Sequence, residues 1–418
     1  MTDDVISPVI LALTVGGSSE PLKSAIEATN PDILLLIASA PAAGSVSSRG
    51  AAEEFKRAFE ASQEGRSAQV IEVPADDPGR AFALIVAEID RFRNRKLGCR
   101  IVADYTGGTK SMSAALLFAS FQRDLETQIM AGRRDDLARV TSGTEAARSV
   151  DTRLIGVERE FVTGLRVAAH GDYAAAAGLI GAIQNKIQFE KLKPPASLGR
   201  RLQQAQDWAE CLARWDRFDH KAAWLKLEDG LDNAALWAES LRASGHGAIL
   251  EDLARGKDEP RVTLCQDLLE NARRREAQGR LDDALARLYR FTEACVQTRL
   301  YDRYKLKSGE LNMSDLPPKL AGQLTPSGYP PRYKTGLLQT VNVLRHKDQA
   351  DPVADAYFFG DERGPRWLVR RNSSILAHGY SAVEPQVVKE AFAWIKDKLV
   401  PAMRMPLMPP FPTKPTLG

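Results

Sequence analysis

Residues 100–112 read RIVADYTGGTKSM, a short β-rich run followed by a turn with two adjacent glycines, two threonines and a lysine. In an open α/β sheet, such turns lead from the carboxyl end of a strand into a helix. Backbone NH groups and the helix N-terminus meet there and favour anionic ligands. Residues 106–110 therefore predict a phosphate-binding loop, and a tight turn of purely structural value is the alternative.

The flanking sequence predicts that this loop belongs to a largely parallel sheet. Short apolar runs alternate with helical patterns over residues 1–155, as in consecutive βαβ units. Four predicted strands lie at residues 9–13, 33–37, 70–73 and 100–103. Two further extended runs, 128–131 and 137–140, flank a predicted turn at 132–136. We expect a doubly wound α/β domain with an appended hairpin.

A second glycine-bearing turn follows the first predicted strand, where residues 14–21 read TVGGSSEP. Neither turn is a standard nucleotide fingerprint. The sequence contains no Gly-x-Gly-x-x-Gly, and residues 108–111 read GTKS where a P-loop needs Gly-Lys-Ser/Thr. ATP hydrolysis is therefore disfavoured, and for Gly16 and Gly17 alone a structural role is an equally good interpretation.

Beyond residue 156 the β pattern fades, and Ala, Leu, Gln, Arg and Trp recur at helical spacing. A polar segment that includes Gly256 and Pro260 predicts a boundary between a helical linker domain at 156–260 and a second helical domain at 261–400. Helices of the latter are predicted at 262–278, 281–304, 334–346 and 384–399. The Pro- and Met-rich tail at 401–418 is expected to be extended or disordered.

Composition narrows the function classes. The chain has 418 residues, enough for two or three domains, and its net charge of +3 argues against a dedicated duplex-DNA binder. The basic triplet at 273–275 is interpreted as a solvated helix face, with an RNA-binding track as the alternative. Four scattered cysteines without a CxxC pair predict neither a disulfide framework nor a metal site. The acidic first residues do not resemble a secretory signal, and no run approaches the roughly 20 apolar residues of a membrane span, so we expect a cytoplasmic protein.

A second motif lies near the C-terminus, where residues 367–379 read WLVRRNSSILAHG. Arg371 and His378 are seven positions apart, which on a helix is nearly two turns. Both side chains would then leave one face about 10.5 Å apart along the axis. Gly379 would lie just beyond the helix end.

This pair suffices in principle for RNA cleavage without a metal. An imidazole can exchange the proton of a 2′-hydroxyl or a leaving oxygen, and a guanidinium can stabilise charge on the phosphorane-like transition state. Without context, a structural role for such a pair is the better interpretation. The other histidines lack paired carboxylates or metal-ligand spacing and are predicted to be ordinary surface or core residues; they are His170, His220, His246 and His346.

The strand followed by Asp-x-Thr-Gly-Gly-Thr-Lys-x-Met resembles the sensor domains called CARF, for CRISPR-associated Rossmann fold. The resemblance implies a homodimer that binds a cyclic oligoadenylate across its two-fold axis. The ligand-binding residues that it implies are Gly16, Gly17, Ser18, Thr106, Gly107, Gly108, Thr109, Lys110 and Met112, with Ser39 as a weaker candidate.

The sequence Arg-Asn-x-Ser-Ile-Leu-Ala-His-Gly resembles the HEPN ribonucleases, whose signature is an arginine and a histidine separated by four to six residues. By this resemblance Arg371 and His378 are catalytic, Asn372 orients substrate or histidine, and Arg370 is a competing arginine. The active site would form only where two protomers place their motifs face to face. On a preceding helix, Tyr289, Arg290 and Glu293 are predicted to be structural or dimer-forming, with a smaller chance of supporting the site.

Together the two motifs imply a CARF-HEPN ribonuclease of type III CRISPR systems. It would have an N-terminal Rossmann-like domain, a helical middle region and an all-helical HEPN domain. The resemblance implies single-stranded RNA as substrate and no cofactor beyond a cyclic oligoadenylate activator, with cyclic tetra-adenylate favoured over cyclic hexa-adenylate. It also allows slow degradation of the activator by the sensor. Two rivals stay open, namely a non-catalytic ligand-sensing regulator and a metabolic nucleotide-binding enzyme.

Overall fold

The computed structural model describes residues 7–41, 46–95, 98–132, 146–256 and 259–418. The chain divides into two compact units, Met1–Glu158 and Arg159–Gly418. Within the described residues, no helix is both long and apolar enough to cross a bilayer. The first division lies close to the predicted limit at residue 155, whereas the predicted limits at 260 and 400 fall inside the second unit.

The first unit is built on a six-stranded sheet with the order β3-β2-β1-β4-β5-β6. Its strands are β1 (Val9–Thr14), β2 (Ile33–Ser39), β3 (Ser67–Val73), β4 (Arg100–Asp104), β5 (Glu126–Ala131) and β6 (Ala146–Ser149). Its helices are α1 (Glu20–Thr29), α2 (Arg49–Ser62), α3 (Pro78–Arg95) and α4 (Lys110–Gln122). All neighbouring strands are parallel except β5 and β6, so the predicted doubly wound sheet is confirmed.

Alternate side chains of the central strand enter two hydrophobic cores, one on each face of the sheet. Ile10 and Ala12 pack with α3 and α4, whereas Leu11 and Leu13 pack with α1 and α2. The period of two follows from the pleat of a β-strand. Because strands buried on both faces need apolar residues at every position, β1 and β2 read as continuous apolar runs.

The last parallel strand, β5, has an antiparallel neighbour. β6 runs antiparallel to β5, with Gln128 opposite Ser149 and Ala131 opposite Ala146. The predicted turn at 132–136 and the predicted strand at 137–140 lie outside the described residues, except for Gly132. The antiparallel partner that the structure describes is therefore a later segment than the one predicted.

The second unit is helical, as predicted. After α5 (Arg153–Ala169), which spans the division, its helices are α6 (Tyr173–Phe189), α7 (Ala196–Asp216), α8 (His220–Asp232), α9 (Leu236–Ala243), α10 (His246–Arg255), α11 (Val262–Ala277), α12 (Leu281–Tyr304), α13 (Pro318–Ala321), α14 (Leu337–Lys347), α15 (Pro352–Tyr357), α16 (Arg366–Asn372), α17 (Pro385–Trp394) and α18 (Val400–Met403). A π-helical turn, Ile395–Leu399, joins α17 to α18. One hydrophobic core is formed by residues between 168 and 250 together with Met408 and Phe411, and another lies within residues 265–405.

The basic triplet on α11 is not a solvated face. Arg274 and Arg275 are buried and both pair with Asp216 at the end of α7, the former through a 2.8 Å contact between Nε and Oδ1. Only Arg273 points toward solvent, where it pairs with Glu270. A local run of three arginines could not predict a buried ion pair with a distant segment of the chain.

The Pro-rich tail is extended but ordered. Beyond α18 it crosses from one core to the other, since Met405 packs in the core of 265–405 whereas Phe411 packs in that of 168–250. Tyr173 Oη donates a 2.8 Å hydrogen bond to the Pro412 carbonyl, and Gln266 Nε2 donates one of 2.7 Å to the Pro406 carbonyl. The tail thus ties the helical middle region to the C-terminal helices.

Candidate functional site

The two glycine turns lie side by side at the carboxyl edge of the sheet. β1 and β4 are parallel neighbours, with Leu13 opposite Asp104, so the turns that follow them meet. A Cβ on Gly16 would come within 2.7 Å of the Gly108 nitrogen, and a Cβ on Gly107 within 2.4 Å of the Thr14 carbonyl oxygen. Glycine is therefore required for the contact between the loops, as the sequence pattern suggested.

The hydroxyl groups of the second loop are engaged within the protein. Thr106 Oγ1 accepts a 2.7 Å hydrogen bond from the Met130 amide, and Thr109 Oγ1 donates to the Ala75 carbonyl. Thr109 also caps α4 by accepting from the amide of Met112. These bonds fix the loop shape, so ligand recognition would fall to backbone groups and to the remaining side chains.

Exposure separates the predicted ligand residues into groups. Gly17, Ser18 and Lys110 are exposed, whereas Met112 is fully buried beneath the loop. Ser39 is buried as well, and its hydroxyl contacts Ser48 at the start of α2. The remaining candidates, the glycines and threonines of the two turns, are half-buried.

Asp104 is a feature of this site that the sequence interpretation did not single out. It is buried at the end of β4, where its carboxylate accepts hydrogen bonds from the Thr106 amide at 3.0 Å and from Gln128 Nε2 at 3.1 Å. Burial is the main cause that raises the pKa of Asp104 above its ordinary value, and these hydrogen bonds oppose it. In the sequence, the position of Asp104 directly before the glycine turn could have indicated that it belongs to this site.

The C-terminal motif is not one continuous helix. α16 ends at Asn372, and residues 373–379 form a series of turns. The prediction that Arg371 and His378 share one helical face, with Gly379 beyond the helix end, is therefore wrong. Serine and asparagine compete with helical hydrogen bonding through their own side chains, which is consistent with a helix end at Asn372 and Ser373.

The turns bring the histidine back toward the arginine. The His378 amide donates a 3.2 Å hydrogen bond to the Asn372 carbonyl, next to Arg371 in the chain. Gly379 makes this return possible because a Cβ there would lie 2.0 Å from the Ser373 carbonyl oxygen. The glycine is thus needed for close backbone approach instead of for a helix end.

Arg371 is held in place from two sides. Its guanidinium lies 4.1 Å from the ring centroid of Tyr289, and its Nη1 donates a 3.2 Å hydrogen bond to Asn372 Oδ1. Arg370 is more exposed and lies 3.8 Å from Glu390. The preference for Arg371 over Arg370 gains a physical basis, and Tyr289 joins the site as a neighbour of the arginine.

The histidine itself is exposed, and no hydrogen bond or ion pair to its ring is formed by residues that the structure describes. Its surroundings are apolar and exposed. The large apolar side chains of the motif that face solvent are Val369, Ile375, Leu376 and Tyr380, each more than half exposed. Where such side chains form one contiguous patch, they are typical of an interaction site.

Two other histidines lie within the second unit, one half-buried and one buried. His220 Nε2 lies 2.9 Å from Asp267 Oδ2, so the expectation that it lacks a carboxylate partner is wrong. His246 is buried against Phe411, with its pKa lowered chiefly by burial. Among the described residues, no three His, Cys, Asp or Glu side chains are grouped to hold a metal ion.

Comparison with known proteins adds a family for the C-terminal part. Residues 254–405 match the family described as the Csm6 HEPN domain. No curated protein sequence matches the chain. This match includes the whole Arg371/His378 motif.

The fold is also similar to solved structures at low sequence identity. Enterococcus italicus Csm6 bound to cyclic hexa-2′-fluoro-hexa-dAMP is 9% identical, with a TM-score of 0.45, over 96% of this chain and 95% of that one. Can2 from Sulfobacillus thermosulfidooxidans in complex with cyclic tetra-adenylate is 11% identical, with a TM-score of 0.24, over 50% and 67%. At these scores neither likeness carries an argument. The match over 254–405 places a Csm6 HEPN-like helical domain in the C-terminal part of the chain, and a doubly wound α/β domain precedes it, in the order that the motifs predicted.

Proposed function

We propose that this protein is a CRISPR-associated endoribonuclease that cleaves single-stranded RNA without a metal ion when a cyclic oligoadenylate binds its N-terminal domain. The observation that carries the proposal is the position of the Arg371/His378 motif. It lies inside the Csm6 HEPN match and at the surface, with a stacked guanidinium, an exposed imidazole and a backbone hydrogen bond that returns His378 to the residue after Arg371.

In the proposed reaction each side chain has a separate task. His378 removes the proton of the 2′-hydroxyl or protonates the leaving oxygen. Arg371, oriented by Tyr289 and Asn372, stabilises the negative charge that develops on the scissile phosphate. Because the 2′-hydroxyl is the nucleophile, RNA is cut and DNA is not.

The active form in this proposal is a homodimer. Val369, Ile375, Leu376 and Tyr380 surround the motif and are exposed in the single chain. A two-fold interface is self-complementary, so the same apolar patch of a second copy would cover them and bring two motifs together. The exposed patch supports this assembly.

The proposed activator site is the pair of glycine turns in the first unit. The helix N-terminus at Lys110 and the exposed residues Gly17 and Ser18 offer donors to phosphates. Cyclic tetra-adenylate is the preferred ring in this proposal, ahead of cyclic hexa-adenylate. Slow cleavage of the activator by this domain is a secondary part of it.

The test is cleavage of a fluorogenic single-stranded RNA in EDTA, with cyclic tri-, tetra- or hexa-adenylate added in separate reactions. We expect cleavage that depends on one ring size and is lost in His378→Ala, which controls for contaminating ribonucleases. Activator binding without RNA cleavage would instead identify a non-catalytic regulator. Cleavage that requires a divalent metal would contradict the proposed chemistry.

A further inference from the structure

A polar cleft lies in the C-terminal part of the chain, between α13 and α14. Its volume is about 640 Å³, within the range of roughly 300–1,000 Å³ typical of small-molecule sites. Residues of the Arg371/His378 motif do not line it. The polar side chains that do are Lys319, Gln323, Asn342, Arg345, His346 and Gln349.

The charge of this cleft is one-sided. Lys319 and Arg345 are cationic, His346 can become so, and no carboxylate is among the described residues that line it. The acidic residues that precede α13 and follow α14 are engaged elsewhere. Asp315 accepts from Lys347 at 3.0 Å and from the Asn312 amide at 3.0 Å. Asp348 accepts from the backbone amide of Ala350.

The six polar side chains also keep unused hydrogen-bonding groups. None of them forms a side-chain hydrogen bond or an ion pair with another described residue. This contrasts with Lys347 on the same helix, which is paired with Asp315. A cleft with cations and amides but without internal partners is complementary to a ligand that carries both negative charge and hydrogen-bonding edges.

Arg345 is nevertheless held in position. Its guanidinium lies 5.1 Å from the ring centroid of Phe358, which packs against the core of residues 265–405. A stacked guanidinium loses less side-chain freedom when it binds a phosphate, because its orientation is already restricted. The cleft therefore contains one oriented cation and one flexible cation, Lys319.

We propose that this cleft binds a nucleotide of the single-stranded RNA substrate outside the site of cleavage. Lys319 and Arg345 would contact backbone phosphates, and the amides of Gln323, Asn342 and Gln349 would meet the edge of a base. Phosphates dominate the affinity of nucleic acid binding, whereas base edges add selectivity. The proposal rests on the function proposed above, since it names a further contact with the same RNA.

The experiment measures binding of a fluorescein-labelled single-stranded RNA to full-length His378→Ala protein by anisotropy over a series of salt concentrations. The double variant Lys319→Gln/Arg345→Gln should bind more weakly. Its slope of log K against log salt should fall by about 1.4, because each phosphate contact contributes about 0.7 for a single strand. Arg345→Lys alone should keep most of the binding. Circular dichroism melting confirms that each variant folds.

Arg303→Gln is the matched control, because this exposed arginine lies on α12 outside the cleft and should leave RNA binding unchanged. Equal affinity and slope in the double variant and its parent would overturn the inference. The inference would also be overturned if AMP displaced the RNA and bound the cleft as tightly as the RNA does. The cleft would then be a mononucleotide site. If the parent binds RNA through the cleft but active protein cuts none, the proposed function fails and this inference stands.

Discussion

The two candidate sites differ in how completely a single chain builds them. In the glycine turns of the first unit, glycines pack against backbone and the threonine hydroxyls are bonded within the protein. In the Arg371/His378 motif, only the arginine is held, and the histidine and four large apolar neighbours face solvent. The glycine turns are therefore fixed by contacts within one chain, whereas most of the Arg371/His378 motif is not.

The largest effect on RNA cleavage should come from substitution of Arg371. Arg371→Gln removes the charge that is stacked on Tyr289, and we expect about 10²–10³-fold slower RNA cleavage with activator bound. Arg370→Gln, its matched neighbour, should cost far less because Arg370 is exposed and faces Glu390. Single-turnover cleavage rates measure both. An equal loss in the two variants would remove the basis for preferring Arg371.

A smaller effect is expected when a methyl group is added to the packed glycine turns of the first unit. Gly107→Ala places a Cβ within 2.4 Å of the Thr14 carbonyl oxygen and should lower the free energy of unfolding of the first unit by about 1–3 kcal/mol. Activator binding, measured by calorimetry, should be lost with it. Gly17→Ala meets no atom within 4 Å and should leave thermal stability nearly unchanged. Equal melting temperatures in both variants would show that the loops are less tightly built than the structure indicates.

Tyr289 tests how the arginine is held. Tyr289→Leu removes the ring beneath Arg371, and we expect cleavage to slow by about 2- to 30-fold, as a cation–π contact of roughly 0.5–2 kcal/mol predicts. Tyr289→Phe keeps the ring and should retain most of the rate. Loss of activity in both variants would assign the role to the hydroxyl group instead of to stacking.

The sequence predicted what depends on local pattern. Apolar runs at residues 9–13 and 33–37 became the central strands because strands buried on both faces must be apolar throughout. The meeting of the two glycine turns followed from the geometry of parallel strands, since adjacent strands end at one edge. Helices α11 and α12 were also predicted within two residues of their observed limits.

Long-range contacts could not be predicted in the same way. Nothing near Arg274 and Arg275 in the sequence reveals Asp216, and nothing in the tail reveals that Phe411 packs against Trp215. In the motif, seven-residue spacing fits a helix, but backbone hydrogen bonds across the turn outweigh that local preference. Gly379 is needed because the backbone packs closely on Ser373 there. From the sequence alone, a glycine at a close backbone contact cannot be distinguished from a glycine at a helix end.

The smallest expected effect concerns the carboxyl group beneath the glycine turn. Burial raises the pKa of Asp104, so the folded state holds its proton more tightly than the unfolded chain does. The resulting loss of stability develops as the pH rises from the unfolded-state pKa of about 3.9 toward the raised folded value, and it is complete above that value.

Asp104→Asn has no charge to bury and can still accept from the Thr106 amide, so it should raise the melting temperature of the first unit slightly at neutral pH. The gain should shrink as the pH falls below about 3.9, where Asp104 is neutral in both states. Calorimetric melting over a pH series measures this difference. A variant that is less stable than the parent at neutral pH, but not below about pH 3.9, would mean that the hydrogen bonds of the charged carboxylate outweigh its burial. The loop would then be stabilised by that charge, and its contrast with the exposed Arg371/His378 motif would be stronger still.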